Sequence, residues 1–169
     1  DLGELTNRLQ REDARYTDLF KAFQVIYLIL SGFYVLLIIR HLLEKSSFYE
    51  LMGSLLIFIA MFIFAILFRF YFKEYRDVDY AESTLKMLKK AAYRYKAFQL
   101  KTLWALLAVL FVYAGLVFSN SDGDALNWLQ WPFLVIISAS LVVGLIIWWY
   151  RYKPLKDNAV SLVRELEKE

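Results

Sequence analysis

Cysteine is absent from the 169 residues. That removes disulfides, thiolate nucleophiles and thiolate metal ligands together. Histidine occurs once, as His41, so there is no His-x-x-x-His or Glu-x-x-His pairing of the kind a catalytic metal needs, and a single histidine beside Arg40 reads as structural. There is no glycine-rich phosphate loop of the P-loop or dinucleotide type. The chain does not begin with Met, which reads as a trimmed or ordered portion of a longer chain. Its first residues, DLGELTNRLQREDARYTDLFK, are polar and charged and carry no secretory signal pattern. The most informative shortage is local: four long stretches contain no Asp, Glu, Lys, Arg or His at all.

What fills those stretches is apolar. The chain is 60% hydrophobic and 18% aromatic, with a mean hydropathy of +0.44, whereas ordinary soluble domains are about half apolar. The charge-free runs are 22–39, 51–68, 102–119 and 131–150, each close to the ~20 residues a helix needs to cross a bilayer. None alternates with period two, as barrel strands do, and a continuous apolar run satisfies its backbone in lipid only as a helix. The expected fold is all-α: an integral membrane four-helix bundle, one domain over 1–169, with helical extensions at 1–21, 69–101 and 151–169 forming a cytoplasmic helical bundle.

Charge placement sets the expected orientation. Nine Lys and Arg lie between Arg69 and Lys101, whereas 120–130 has none and carries Asp122 and Asp124. The N-terminal arm has Arg8, Arg11, Arg15 and Lys21, and the tail has Arg151, Lys153, Lys156, Arg164 and Lys168. Arg40 and Lys45 in the first outer loop depart from the pattern. Positive charge collects on the cytoplasmic side of short loops, so both termini and the basic middle segment are expected inside. Trp128 and Trp131 fit one interface, and Trp148, Trp149, Tyr150 and Phe70–Phe72 the other.

The extensions carry apolar stripes. Leu2, Leu5, Leu9, Tyr16, Leu19, Phe23, Ile26, Leu30 and Phe33 fall at spacings of three and four, with Glu12 in the one polar slot. This predicts a single helix running from the arm into the first span. The second span is expected to continue through RFYFKEYR and to break at DVD, where Asp79 and Glu82 resemble a capping box. Ala81, Leu85, Leu88, Ala92 and Tyr95 then form a stripe on a helix expected to run on into the third span. Pro154 suits the first turn of a helix or a kink, and Leu155, Ala159, Leu162, Val163 and Leu166 form the last stripe.

The basic segment LKMLKKAAYRYK (85–96) offers the only candidate contact residues: Lys86, Lys89, Lys90 and Arg94, for a lipid headgroup or an acidic partner. Basic residues among aromatics also bind nucleic acids. Tethering between two spans and the positive-inside bias explain the charge without one, so no nucleic acid is expected. Asp122-Gly-Asp124 reads as a turn. Ser31, Ser54, Ser138 and Ser140 lie inside the spans without a base at a recognisable spacing, and Ser140-x-x-x-Gly144 has the spacing of a weak helix-contact motif. The spans hold no charge that would mark an ion or proton path. No catalytic residue, cofactor or metal is expected.

The stretches DVDYAESTLKMLKKAAYRYK and YRYKPLKDNAVSLVRELEKE resemble, at the level of pattern and over the second half of the chain, uncharacterised small four-span membrane proteins of Bacteroidota. The resemblance implies a bacterial inner membrane and transfers no activity. The reading is a non-enzymatic membrane scaffold or regulatory partner acting through its cytoplasmic helices. Its partners would be membrane lipids, a second copy or another protein. A small oligomeric channel or transporter is the main alternative, and a lipid-modifying enzyme the third.

Overall fold

From residue 2 to 43 nothing in the sequence stops a helix: there is no proline, and Gly3 and Gly32 are the only weak helix formers of their kind. The computed structural model, which describes residues 2–78, 84–95, 100–119 and 127–166, has one helix here, α1 (Leu2–Leu43, 42 residues), about 63 Å long. The expected continuity from the arm into the first apolar run is therefore observed.

The heptad stripe does not hold along its length. Leu9 and Glu12 are buried and Tyr16 is half-buried. Beyond them Leu19, Ile26, Leu30 and Phe33 are exposed, and the packed line runs through Phe20, Phe23, Tyr27, Ser31, Tyr34, Ile38 and His41. Counted from Tyr16, that line advances about 3.6 residues per step, the period of a straight helix, whereas the stripe advances about 3.4. A 3.5-residue repeat drifts off it by about 20° per heptad, so the extrapolated positions rotate out of the seam.

A four-residue turn reverses the chain. Lys45 takes a left-handed backbone conformation (φ 50°), and the Ser46 amide reaches back to the His41 carbonyl at 3.0 Å, a Schellman-type end. Ser47 and Glu50 then form a reciprocal capping box that starts α2 (Phe48–Arg76). His41 Nδ1 lies 3.0 Å from Ser46 Oγ, which gives the lone histidine a structural role in the turn. As expected, α2 continues past its apolar run and stops at Asp77. Aromatic rings fill its seam with α1: Phe20 on Phe68 and Tyr71, Phe23 on Phe68, and Tyr27 on Phe64.

The other flank of α2 packs on α4 (Thr102–Phe118). The two backbones meet at Gly53 and Gly115. A methyl placed at Gly53 would lie 2.8 Å from the Gly115 carbonyl oxygen, and one at Gly115 would lie 2.5 Å from Ile57 Cγ1. Small residues permit such an approach. The small-residue pair singled out from the sequence is not used this way, since Gly144 has open space around it and Ser140 is exposed.

α5 (Asn127–Ile147) passes into a five-residue π-helical turn (Trp148–Tyr152) and then into α6 (Lys153–Leu166). Pro154 therefore lies in the first turn of α6, as expected, directly after the π turn. In an α-helix its ring would strike the carbonyl of Tyr150. The wider turn, in which the Lys153 amide bonds to the Trp148 carbonyl, accommodates it. α5 is exposed on nearly all sides from Trp131 onward and touches α4 through Phe133 stacked on Tyr113.

α3 (Thr84–Arg94) does not run on into α4, against expectation. The chain turns at Tyr95 and again at Leu100–Lys101, because α3 lies against α6 and α1 and draws Tyr95 inward. Asp79, Ala81 and Glu82 lie outside the described residues, as do Asp122 and Asp124, where a turn is expected. All described secondary structure is helical. By length and composition α1, α2 and the helix running through α5 and α6 could each cross a membrane, while the 17-residue α4 is a shorter apolar helix.

Candidate functional site

Three segments far apart in sequence build a buried apolar core. Leu9 from α1, Met87, Leu88 and Ala91 from α3, Tyr95 just beyond it, and Leu155 and Ala159 from α6 are all buried together. Among the described residues, Leu9 and Leu88 are the largest side chains shielded completely. Tyr16, Ala92, Tyr152, Leu162 and Val163 close the cluster's sides. The α6 stripe packs as expected, while α3 buries Leu88 and Tyr95 of its expected stripe together with Met87 and Ala91 from outside it, leaving Leu85 and Ala92 half-buried. Each fully buried Leu contributes about 1.5–3 kcal/mol. We refer to this assembly as the head.

Polar locks sit inside it. The Tyr95 hydroxyl donates to Asp13 Oδ1 at 2.8 Å, a buried bond, and the Tyr95 carbonyl accepts from Trp148 Nε1 at 2.9 Å. Arg151 donates to Glu12 Oε1 through Nε (3.2 Å) and Nη2 (2.5 Å). This hydrogen bond to Glu12 holds the guanidinium above its ordinary pKa. The second Glu12 oxygen is enclosed, with no hydrogen-bond partner among the described residues. Tyr16 lies against Phe20, Tyr75 and Tyr152. Burial, reinforced by a hydrogen bond with Tyr152, pushes its hydroxyl well above the ordinary phenol range. Two buried carboxylates on α1 are thereby held by donors from the α3 end and from the π turn. This fixes the register of three segments that apolar contact alone would leave free to slide.

The residues chosen from the sequence occupy the outside of this head. Lys86, Lys89 and Lys90 are exposed on α3, and each already has an interaction within the chain. Arg94 ends α3, and its side chain lies outside the described residues. Just before α4, Lys101 pairs with Glu74 of α2 and sits 5.7 Å from the Tyr71 ring centre. Among the described residues no group of three or more His, Asp or Glu side chains comes close enough to hold a metal ion. Sequence reading placed Glu12 in a stripe but missed its partner Arg151 and the Asp13–Tyr95 bond. Those pairs are separated by 139 and 82 residues, and neither spacing carries a local signal. No protein-family model, curated protein or solved structure matches this chain.

Proposed function

We propose that this chain is a four-span integral membrane protein of a bacterial inner membrane, with both termini cytoplasmic, and that its helical head is a docking platform for a protein partner or a second copy. One observation carries the reading: the start of α1, α3 and α6 share a single core. Segments packed into one core lie on one side of a membrane. If α1 crosses, α2 must return, and α4 and α5 must likewise cross as a pair or not at all. The apolar α5, exposed on nearly every side, has lipid as its natural solvent. The 17 residues of α4 reach the lower end of spanning lengths.

The platform reading is favoured over a channel by the rings stacked along the α1–α2 seam, which occupy the position an internal path would need. Lys86, Lys89 and Lys90 present a cationic face to an acidic partner. Cross-linking in native membranes, then purification in mild detergent, tests this. A defined hetero- or self-complex is expected, and it should disappear when the three lysines are reversed to Glu while helicity is kept. A chain that is monomeric and partnerless under both conditions overturns the platform.

A further inference from the structure

Where the head meets the apolar helices, a groove runs between α1 and the stretch from the end of α5 to α6. Its upper part, about 370 Å³, is lined by Arg8, Arg11, Arg151 and Asn158. Its lower part, about 520 Å³, is lined by Arg15, Leu19, Ile146 and Ile147. Tyr150 and Arg151 border both parts, so the two adjoin. We infer that this groove binds one anionic phospholipid, with its phosphate among Arg8, Arg11 and Arg151 and an acyl chain laid along Leu19, Ile146 and Ile147.

Charge complementarity selects the headgroup. Three guanidiniums line the upper groove against one carboxylate, Glu12. That carboxylate is turned inward: its side chain is 11% exposed, whereas that of Arg151 is 45% exposed. Arg151 engages Glu12 through Nε and Nη2, which leaves its Nη1 edge for a ligand. Guanidinium forks suit phosphate oxygens, and the Asn158 amide adds a neutral donor.

The lower groove selects an amphiphile over a free anion. From Arg11 to Leu19 is about 12 Å along the helix, which carries the ligand from phosphate contacts to chain contacts. Below Leu19, α1 and α5 do not pack along each other, so the groove opens sideways between the two helices. Trp149, with the Lys153 ammonium 3.6 Å from its ring centre, marks the depth at which aromatic rings and headgroups meet. The site is separate from Lys86, Lys89 and Lys90.

The inference rests on the membrane reading, and its test keeps the two apart. The 169-residue chain is reconstituted into vesicles of mixed phosphatidylglycerol and phosphatidylcholine, released in mild detergent and weighed by native mass spectrometry. One retained phosphatidylglycerol per chain is expected. Its preference over phosphatidylcholine should fall about tenfold or more in Arg8→Gln/Arg11→Gln, which removes two exposed cations, and should stay within about twofold in Lys86→Gln/Lys89→Gln/Lys90→Gln. Leu19→Asn should weaken retention of the two-chain lipid with both arginines intact. Equal losses in the two charge variants indicate unspecific attraction and overturn the site. Displacement of the lipid by inorganic phosphate makes it a free-phosphate site and overturns the lipid assignment. Alkaline carbonate washing of the same vesicles reads insertion independently. A chain that washes off overturns the membrane reading and the lipid site with it, while one that stays but shows no lipid preference overturns the site alone.

Discussion

Tyr95 joins three segments through one hydroxyl and one carbonyl, to Asp13 on α1 and to Trp148 in the π turn. Tyr95→Phe keeps the ring and the carbonyl but removes the donor from a buried carboxylate. Leaving such a group short of a partner costs about 1–3 kcal/mol. The loss should fall within that range, read as a lowered midpoint in denaturant titration of the detergent-solubilised chain. Tyr16 makes a prediction about pH. Its folded-state pKa lies above the ordinary 10.0, with burial the largest cause. A group raised in this way prefers its protonated form in the folded state, so its contribution is fully present below about pH 10 and is lost as pH rises beyond that. Thermal stability should decline above pH 10, and Tyr16→Phe, which has no proton to lose, should flatten the decline. An unchanged slope in the variant would remove Tyr16 as its cause. At this scale the sequence was legible where neighbours explain a residue, as with the Leu155 and Ala159 stripe. It was opaque where the partner is remote, as with Asp13 and Arg151, whose chemistry is ordinary until the fold brings Tyr95 and Glu12 to them.

The same substitution should have opposite signs on two helices. Gly53→Ala forces a methyl toward the α4 backbone at 2.8 Å, and overpacking of this kind costs about 1–3 kcal/mol. Gly144→Ala meets nothing within 4 Å and gains helix propensity, up to about 1 kcal/mol. The two variants, compared by unfolding in one detergent, should move the midpoint in opposite directions. Lys45 offers a gain at the α1–α2 turn: its left-handed backbone costs a side-chain-bearing residue about 1–2 kcal/mol, so Lys45→Gly should stabilise the hairpin by up to that amount, less the entropy glycine adds to the unfolded chain. The apolar runs were legible as helices because length and charge-free composition suffice to define them. The seams were less so. A stripe stepping about 3.4 residues from Tyr16 lands on Leu19 and Ile26, one residue short of Phe20 and Tyr27, where the straight helix places its seam. SSFYE carries the S-x-x-E pattern of the Ser47–Glu50 box, a local signal as legible as Asp79 with Glu82. The break after α3 was not readable at all, since Tyr95 turns inward for the sake of Asp13.

Taken as one molecule, the chain is a long α1–α2 hairpin and a second, looser α4–α5 pair, tied at one end by a core drawn from three places in the sequence. The tie makes crossing a matter of pairs. α4 is the least persuasive span when judged alone, yet α5 cannot cross without it, because α3 before the pair and α6 after it pack on each other. Charge points the same way: the head side holds the basic segment around Lys86–Lys90, whereas 120–130 carries none. A topology reporter inserted after Asp124 should therefore signal the side opposite to one fused after Glu169, and a third fused before Asp1 should agree with the one at Glu169. If Asp124 and Glu169 report the same side while the N-terminal fusion agrees with both, α4 and α5 lie together without crossing and two spans remain. If instead the N-terminal fusion alone changes sides, the shared core of Leu9, Leu88 and Leu155 cannot exist in the membrane, and Leu88→Asp should then leave stability unchanged rather than unfold the head.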